Sequence, residues 1–396
     1  MNVPTDGLLK AAESILPDVI ALRRDLHANP ELGLQLPGTQ SRIVEALTGL
    51  GLDVKLGENL SSVVADLDTG RPGPTVLLRG DMDALPLTEE SGEPFSSTVE
   101  GRMHACGHDT HVAMLVGAAR VLAADKDELN GRVRFMFQPG EEGFHGARYM
   151  IEEGVLEGVD RAFAIHVDTN LAAGLIESRP GALLASSDEL HITLTGRGGH
   201  ASAPHQAIDP IPAACAMVTA FQTMVTREID AFDPAVVTVA RISSGTTNNI
   251  IPETAHLEGT IRAFSEATRA RVHDSIARVA SGVAAAHNCS CDVAITSGYP
   301  VTVNHAPDVE LVKVATEATL GEGRYREAPS PNTASEDFSY VLQQVPGAMA
   351  TLGVCPDGVE DPNTAASLHS NRAVVNENAL PSGIALHAAM AIARLE

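Results

Sequence analysis

The sequence predicts a mixed α/β protein in which one domain is inserted into another. A chain of 396 residues exceeds the size that one hydrophobic core usually organises, so two domains are expected. Apolar residues repeat at helical spacing over 7–28, and apolar runs bounded by glycine and proline at 63–68 and 75–79 indicate buried strands. This alternation stops near residue 186 and returns after 298, so the first and last segments should form one discontinuous domain.

The inserted segment has the pattern of a ferredoxin-like domain. Its predicted elements run strand, helix, strand, strand, helix, strand, which is a duplicated split β-α-β unit. Each helix keeps its apolar residues on one stripe, as a two-layer sandwich requires. The predicted strands are 188–195, 235–243, 254–263 and 290–297, and the predicted helices are 209–229 and 266–287. The predicted domains are therefore 1–185 together with 299–396, and the inserted domain 186–298.

Composition excludes several classes of partner. The 27 basic and 51 acidic side chains give a formal net charge of −24, which repels nucleic acid and anionic membrane surfaces. No segment reaches the roughly 18 consecutive apolar residues of a membrane span, and the N-terminus lacks the pattern of a signal peptide. Five cysteines, an odd number without framework spacing, indicate free thiols in a reducing compartment. We therefore expect a cytoplasmic protein without nucleic-acid or membrane partners.

The segment HACGHDTH, residues 104–111, concentrates side chains that bind metals. In eight residues it holds one thiol, three imidazoles and one carboxylate. Gly107 separates Cys106 from His108, so the backbone can turn tightly enough to bring a sulfur and an imidazole nitrogen to one ion. This segment alone leaves an alternative open, in which a buried cysteine lies beside a hydrogen-bonded core histidine.

Polar side chains also follow three predicted strands, at the point where each strand ends. RGDMDALPL places Asp81 and Asp83 there, QPGEEG places Glu141 and Glu142, and His166 lies near the end of the next strand. Open α/β sheets hold their ligands at the carboxyl ends of the strands, so these side chains should meet at one edge. Taken singly, the aspartates could form a solvated turn, the glutamates a surface acidic pair, and the histidine a core residue.

Histidines recur in two polar loops of the later sequence. GRGGHASAPH, between the first strand and first helix of the inserted segment, carries His200 and His205. SLHSNR places His369 in a loop after the strand ATLGV. Both loops are candidates for contributing imidazoles to a site.

These motifs together resemble the aminoacylase and carboxypeptidase G superfamily of two-metal amidohydrolases, in the branch of hippurate hydrolase and the auxin-conjugate hydrolases. The resemblance runs the whole length of the chain, through RRDLHANPELG, RGDMDALP, HACGHDTH, QPGEEG, HV at 166–167, GRGGHASAPH, NIIPETAHLEGTIRAF, ASEDFS and SLHSNR. It implies a zinc-peptidase-like α/β/α catalytic domain with an inserted ferredoxin-like lid domain. That lid domain would also join two subunits into a homodimer.

The resemblance also implies roles for individual residues. Cys106 would bridge two divalent ions, zinc first, with manganese, cobalt or nickel as alternatives. Glu141 would be the general base, and His200 would reach the scissile carbonyl. The other implied residues are the metal ligands His108, Glu142, His166 and His369, the substrate-carboxylate residues Asn249 and Arg262, and Asp83 behind the ligands.

The reaction so implied is hydrolysis of an N-acyl amino acid to a carboxylate and a free amino acid. Three other hypotheses about the function remain open. They are a dipeptidase or other small-amide hydrolase on the same site, a thiol hydrolase in which Cys106 is a nucleophile paired with His108 or His111, and a non-catalytic metal-binding relative. The chain departs from the family pattern at Gly140, where alanine is usual, and at Asp168 and Thr169, where an aromatic-proline pair is usual. The latter departure predicts a more open or more polar pocket wall.

Overall fold

The computed structural model describes residues 7–395, which form two compact units. The first unit comprises the described residues up to Leu183, Val303–Ser330 and the described residues from Asp337 onward. The second unit comprises Leu184–Thr302 and Pro331–Glu336. The short segment 331–336 was not expected in the second unit. Residues 1–6 and 396, which the predicted domains include, lie outside the described residues.

Helices and strands alternate through the first unit, and the mixed α/β class predicted from the sequence is confirmed. Among residues 7–395 the helices are α1 (Leu8–Ser14), α2 (Leu16–Ala28), α3 (Pro37–Leu47), α4 (His108–Ala124), α5 (Gly146–Glu152), α6 (Pro210–Glu228), α7 (Glu266–Ala286), α8 (Ala306–Leu320), α9 (Ser339–Leu342) and α10 (Leu380–Leu395). The strands in the same range are β1 (Asp53–Leu56), β2 (Val63–Asp68), β3 (Thr75–Asp81), β4 (Arg132–Gln138), β5 (Arg161–Asp168), β6 (Ile176–Ser178), β7 (Gly181–Leu184), β8 (Asp188–Thr195), β9 (Gly199–His200), β10 (Ala235–Ser244), β11 (Ile250–Ile251), β12 (Thr254–Ala263), β13 (Ser290–Ser297), β14 (Thr302–Asn304), β15 (Tyr325–Glu327) and β16 (Gly347–Gly353). None of the described helices is long and apolar enough to cross a membrane.

The first unit is built on an eight-stranded sheet in the order β1-β2-β4-β3-β5-β16-β6-β15. Its central strands β4, β3, β5 and β16 run parallel to one another and are almost wholly buried. Continuous apolar runs suit such strands because both faces of the sheet are covered. The carboxyl ends of β3, β4 and β5 therefore lie at one edge, which is where the candidate residues follow them in the sequence.

Two helices, α4 and α10, pack against each other and against β3. Their approach depends on glycine, because a Cβ atom at Gly383 would lie 2.1 Å from Sδ of Met114, and one at Gly117 would lie 2.8 Å from Cδ1 of Ile384. Apolar side chains of both helices belong to the main hydrophobic core. This packing fixes α4, whose first turn carries the second half of the HACGHDTH motif.

The first predicted helix is two helices. The apolar periodicity of 7–28 indicated one element, but α1 ends at Ser14 and α2 begins at Leu16. Pro17 lies in the first turn of α2. A proline is accepted there because it lacks the N–H that an interior helical position would need, and the same property ends the preceding helix.

The second unit contains the predicted succession β8, α6, β10, β12, α7, β13. Its four strands pair antiparallel in the order β10-β12-β8-β13, which is the arrangement of a split β-α-β fold. One apolar face of this sheet and the facing stripes of α6 and α7 form a separate hydrophobic core. In this sheet β10 and β13 are the edge strands.

Candidate metal centre

Five segments of the first unit converge beyond the carboxyl ends of β3, β4 and β5. The predicted ligands come from the loop before α4, the first residue of α4, the loops after β4 and β16, and the end of β5. These residues are Cys106, His108, Glu142, His369 and His166. The structure thus brings together all five residues that the resemblance named as metal ligands.

Cys106 belongs to two groups of potential ligands at once. One group is Cys106, His108 and His166, and the other is Cys106, Glu142 and His369, with the ligand atoms of each group within 4.8 Å of one another. The Cys106 sulfur lies 3.5 Å from Nε2 of His166 and 3.3 Å from Nε2 of His369. Nε2 of His369 is also 3.3 Å from Oε1 of Glu142. One thiol is therefore positioned between two sets of nitrogen and oxygen donors.

The imidazoles of His108 and His166 are oriented by backbone carbonyls. Nδ1 of His108 lies 2.9 Å from the carbonyl oxygen of Asp83, and Nδ1 of His166 lies 2.7 Å from that of Val167. A carbonyl only accepts hydrogen bonds, so each Nδ1 carries the donated proton. Each Nε2 is therefore left to face the Cys106 sulfur or its neighbours, the orientation that metal-ligating histidines usually have.

The side chains present fit a pair of divalent ions. Nε2 of His108 is buried and has no hydrogen-bond partner among the described residues, a costly state for a polar atom unless another partner takes its lone pair. One thiol, three imidazoles and a carboxylate are donors of the kind that zinc and neighbouring transition metals accept. The geometry and the donor types thus agree with the metal site that the motif indicated.

His369 approaches the cluster from a strained backbone. Its φ of 66° lies in the left-handed region, which costs a side-chain-bearing residue about 1–3 kcal/mol and is concentrated at functional sites. The backbone N–H of His369 donates to the carbonyl of Ala105 at 2.8 Å. This bond ties the His369 loop to the residue next to Cys106.

Asp83 fixes the two adjacent glutamates through their backbone. Its two carboxylate oxygens accept the N–H groups of Glu141 at 2.9 Å and Glu142 at 3.0 Å. Oε2 of Glu141 and Oε1 of Glu142 each lie 4.0 Å from Nε2 of His108. One aspartate therefore sets the position of both acidic side chains relative to the cluster.

The charges of the cluster shift the acidity of its members. Burial alone would raise the pKa of the Cys106 thiol, but His108 and His166 outweigh it and lower that pKa to about 6. Hydrogen bonds to Cys106 and Glu142 raise the pKa of His369 to about 10. Without a metal, the site therefore pairs a thiolate with imidazolium, and thiolate is the form of cysteine that binds metals.

Gly107 allows the metal loop to reach β5. Its φ is +81°, and a Cβ atom there would lie 2.5 Å from Cγ2 of Val167. Any side chain at this position would therefore meet both an unfavourable backbone conformation and a steric clash. The glycine between Cys106 and His108 thus serves the close approach as well as the turn that the sequence predicted.

A buried charged cluster that the sequence motifs did not predict holds the start of α4. Oδ2 of Asp109 lies 2.7 Å from Nε of Arg23 and 2.9 Å from Nδ1 of His27, whose Nε2 is 3.1 Å from Oε1 of Glu89. Because carboxylates only accept, both ring nitrogens of His27 donate and the ring is charged. Burial opposes that charge, but Asp109 raises the pKa of His27 to about 9. The available signal was RRDLH, which places an arginine and a histidine four residues apart on one helix face.

The remaining predicted residues belong to the second unit. His200 is the last residue of β9, which pairs with β11, and the N–H of Ala201 donates to the carbonyl of Asn249 at 3.1 Å. His200 and Asn249 are exposed neighbours. Arg262 lies on β12 and donates to Oγ1 of Thr260 at 2.5 Å. Their roles in substrate binding stay predictions.

The sequence as a whole identifies the family. A model of the peptidase family M20/M25/M40 matches residues 77–393. The chain belongs to this family. It is 40% identical over 383 residues to thermostable carboxypeptidase 2 of Saccharolobus solfataricus, covering 94% of each chain. It is 38% identical over 395 residues to IAA-amino acid hydrolase ILR1-like 2 of Arabidopsis thaliana, covering 98% of this chain and 88% of that one.

A crystal structure supports the same assignment. A dinuclear metal-binding peptidase of the M20 family from Bacillus subtilis superposes with a TM-score of 0.85 at 32% identity, covering 97% of this chain and 99% of that one. The resemblance drawn from the motifs is therefore confirmed. The α/β architecture of this M20 protein is that of a solved relative.

The departures from the family pattern have structural consequences in this M20 protein. Gly140 has a φ of +72°, and a Cβ atom there would lie 2.5 Å from Cδ2 of Leu34, so the usual alanine would require Leu34 to shift. Thr169 is buried and donates through Oγ1 to the carbonyl of Ala366 at 2.9 Å. Thr169 thus ties the end of β5 to the loop that leads to His369. The more open or polar pocket wall stays a prediction.

Proposed function

We propose that this M20 family member is a metal-dependent amidohydrolase that cleaves N-acyl amino acids to a carboxylate and a free amino acid. The observation that carries the proposal is the sharing of the Cys106 thiol between two ligand groups, with a further carboxylate, Glu141, beside them. The named relatives, a carboxypeptidase and an IAA-amino acid hydrolase, support cleavage of an amide next to an amino acid.

We assign one divalent ion to each of the two groups that share Cys106. Cys106, His108 and His166 would hold one divalent ion, and Cys106, Glu142 and His369 would hold the other. Zinc is the first choice for a thiolate with imidazoles, and manganese, cobalt or nickel are alternatives. Two ions so placed would polarise the amide carbonyl and make water a stronger nucleophile.

Glu141 is the proposed general base. It is buried, and its backbone is held by Asp83. It belongs to neither of the two groups that share Cys106, whereas its neighbour Glu142 belongs to one of them. A carboxylate so held can take a proton from the attacking water and return it to the departing amine.

His200 is the proposed donor to the oxyanion. Its Nδ1 accepts the backbone N–H of Ser202 at 3.1 Å, so in the neutral ring the proton lies on Nε2. Such a donor suits the negative oxygen that develops during amide hydrolysis. Asn249 and Arg262 are the proposed partners of the substrate carboxylate. These three roles rest on the resemblance.

The structure bears on the rival mechanism with a nucleophilic thiol. Both nitrogens of His111 are occupied, Nδ1 with Asp81 at 2.5 Å and Nε2 with the N–H of Val167 at 2.9 Å. His111 therefore has no lone pair for Cys106. A thiol mechanism with His108 would also give no function to Glu142 and His369. A non-catalytic relative is expected to have lost a ligand or the base, and all these residue types are present.

The second unit is the proposed dimerisation domain, as in the predicted domain arrangement. Its edge strand β10 exposes Val236 and Ile242, and Phe232 before that strand is 98% exposed. Exposed apolar edges usually require cover.

A cytoplasmic location is also proposed, because all five cysteines are free thiols, as a reducing compartment would keep them.

We expect metal-dependent release of free amino acid from N-acetyl, N-benzoyl or longer N-acyl amino acids. Exhaustive chelation should abolish the activity and zinc or manganese should restore it, because the ions activate water and carbonyl. Substrates whose carboxylate is blocked as a methylamide should react more slowly, and dipeptides test the runner-up specificity. Amino acid analysis of the products measures each rate. No release from the whole panel, or full activity after chelation, would contradict the proposal.

Adjacent glutamates provide a matched pair of variants. Glu141→Gln keeps the size and removes the proton acceptor, so both ions should bind while kcat falls roughly 10²- to 10⁴-fold. Glu142→Gln should instead weaken one ion. Mass spectrometry of metal content beside kinetics separates the two effects. Loss of metal in Glu141→Gln with retention in Glu142→Gln would mean that the two roles are reversed.

The dimer is tested by sedimentation. At micromolar concentration the wild-type protein should sediment as a dimer, and Ile242→Lys should shift it towards monomer because a charge on an edge strand opposes pairing. Leu56→Lys, at the exposed edge strand β1 of the first unit, is the control that should leave the dimer intact. A monomeric wild-type protein would exclude the proposed interface.

A further inference from the structure

His111, at the end of the HACGHDTH motif, has no role in the proposed mechanism. His111 lies in the first turn of α4 and is 1% exposed. Its Nδ1 is 2.5 Å from Oδ1 of Asp81, and its Nε2 accepts the backbone N–H of Val167 at 2.9 Å. An N–H donor requires a bare Nε2, and a carboxylate requires a proton on Nδ1. The two partners therefore select one neutral tautomer of His111.

The hydrogen bond from Val167 to His111 satisfies a backbone N–H of β5 beyond the point where β5 stops pairing with β3. Backbone pairing between β3 and β5 ends at Arg79 and Ala164, while β5 continues to pair with β16 as far as Asp168. Within residues 7–395, the end of β5 therefore has no strand partner on the β3 side. His111 supplies the missing acceptor there, and a buried N–H without one would cost about 1–3 kcal/mol.

Val167 directly follows the candidate ligand His166. The rings of His111 and His166 also meet edge to face, with centroids 4.6 Å apart and an interplanar angle of 69°. His111 thus contacts the His166 ring directly and also bonds to the backbone N–H of the residue that follows it. Both contacts act on the direction in which Nε2 of His166 approaches Cys106.

Asp81 is itself held rigidly. Its Oδ2 lies 2.7 Å from Nη1 of Arg79, whose other nitrogens bond to Gln138 at 2.9 Å and Asp337 at 3.1 Å. Gly80 allows the approach, because a Cβ atom there would lie 3.1 Å from the carbonyl oxygen of His111. A series of hydrogen bonds from Arg79 through Asp81 to His111 therefore links the end of β3 to the end of β5.

We propose that His111 is a positioning residue for the metal ligand His166, acting as a fixed-tautomer bridge between Asp81 and the backbone of Val167. The inference rests on the proposed function, because it takes His166 to be a ligand. In this role His111 does not contact the substrate. Loss of the bridge should lower the affinity for one ion and leave the group of Cys106, Glu142 and His369 complete.

Two substitutions separate the two hydrogen bonds of the bridge. In His111→Asn the amide nitrogen can take the place of Nδ1 and keep Asp81, but the side chain is too short to reach Val167. In His111→Gln the amide oxygen can reach the Nε2 position and accept from Val167, at the expense of the bond to Asp81. The Asn variant should therefore lose more metal affinity than the Gln variant.

His387 supplies a matched control. It is also 1% exposed, packs edge to face on Phe163 of β5 with ring centroids 5.4 Å apart, and has no hydrogen-bond partner for Nδ1 among the described residues. His387→Asn removes a buried ring at similar depth without breaking a bond to a ligand-bearing segment. It should lower the unfolding temperature and leave both metal affinities unchanged.

The test is a zinc titration of the metal-free full-length proteins against a chromophoric chelator, with thermal unfolding of each variant. His111→Asn should bind one ion roughly 10- to 100-fold more weakly, as loss of a partner behind a metal ligand usually does, and His166→Ala should weaken the same ion further. If His111→Asn fails to fold, His111→Gln with an intermediate affinity carries the test.

The outcomes distinguish this inference from the proposed function. A wild-type protein that binds two ions, with both affinities retained in the folded His111 variants, would overturn the bridge alone. Equal loss of metal in His387→Asn would also overturn it, because the effect would then be general to buried histidines. A wild-type protein that binds no ions would overturn the proposed function and this inference with it.

Discussion

The Cys106 sulfur is the atom on which the candidate site depends. It lies within ligand distance of two groups of donors that come from four other segments of the chain. Such convergence needs parallel strands that end at one edge and a helix that begins there, which the β3, α4, β4, β5 succession supplies. Gly107 then allows the loop to turn against Val167, so the position of the thiol is set by the backbone of α4 and β5.

The surroundings of the thiol explain why so many buried charges are tolerated. Asp81 and Asp337 flank Arg79, and Asp109 is paired with Arg23 and charged His27. Removing one partner of such a buried pair typically costs about 3–5 kcal/mol, whereas the complete pair contributes little net stability. These pairs therefore gain their importance from orientation, since they fix β3, the start of α4 and the candidate ligands next to them.

The sequence predicted the parts of this arrangement that depend on local pattern. Strand ends could be located from apolar runs, so Asp83, Glu141, Glu142 and His166 were placed at one sheet edge, and the structure brings them together. The βαββαβ order of the second unit followed from its periodicity in the same way. The identity of each candidate ligand came from the motifs and their resemblance to a family.

Other features were beyond local pattern because they depend on distant partners. Nothing near His27 indicates that Asp109, 82 residues later, would keep it charged. The same holds for His111, whose proposed role depends on where β3 stops pairing with β5. The helix break before Pro17 was accessible from the sequence, but the apolar spacing on both sides concealed it. Periodicity and motifs therefore do not predict polar contacts between residues that are far apart in the sequence.

The sharing of one thiol is tested most directly by anomalous diffraction from crystals of the zinc-loaded protein. Two zinc peaks are expected in each chain, both at a bonding distance of about 2.3 Å from the Cys106 sulfur. His166 should contact one peak and His369 the other. A single peak, or two peaks of which only one contacts the sulfur, would contradict the account.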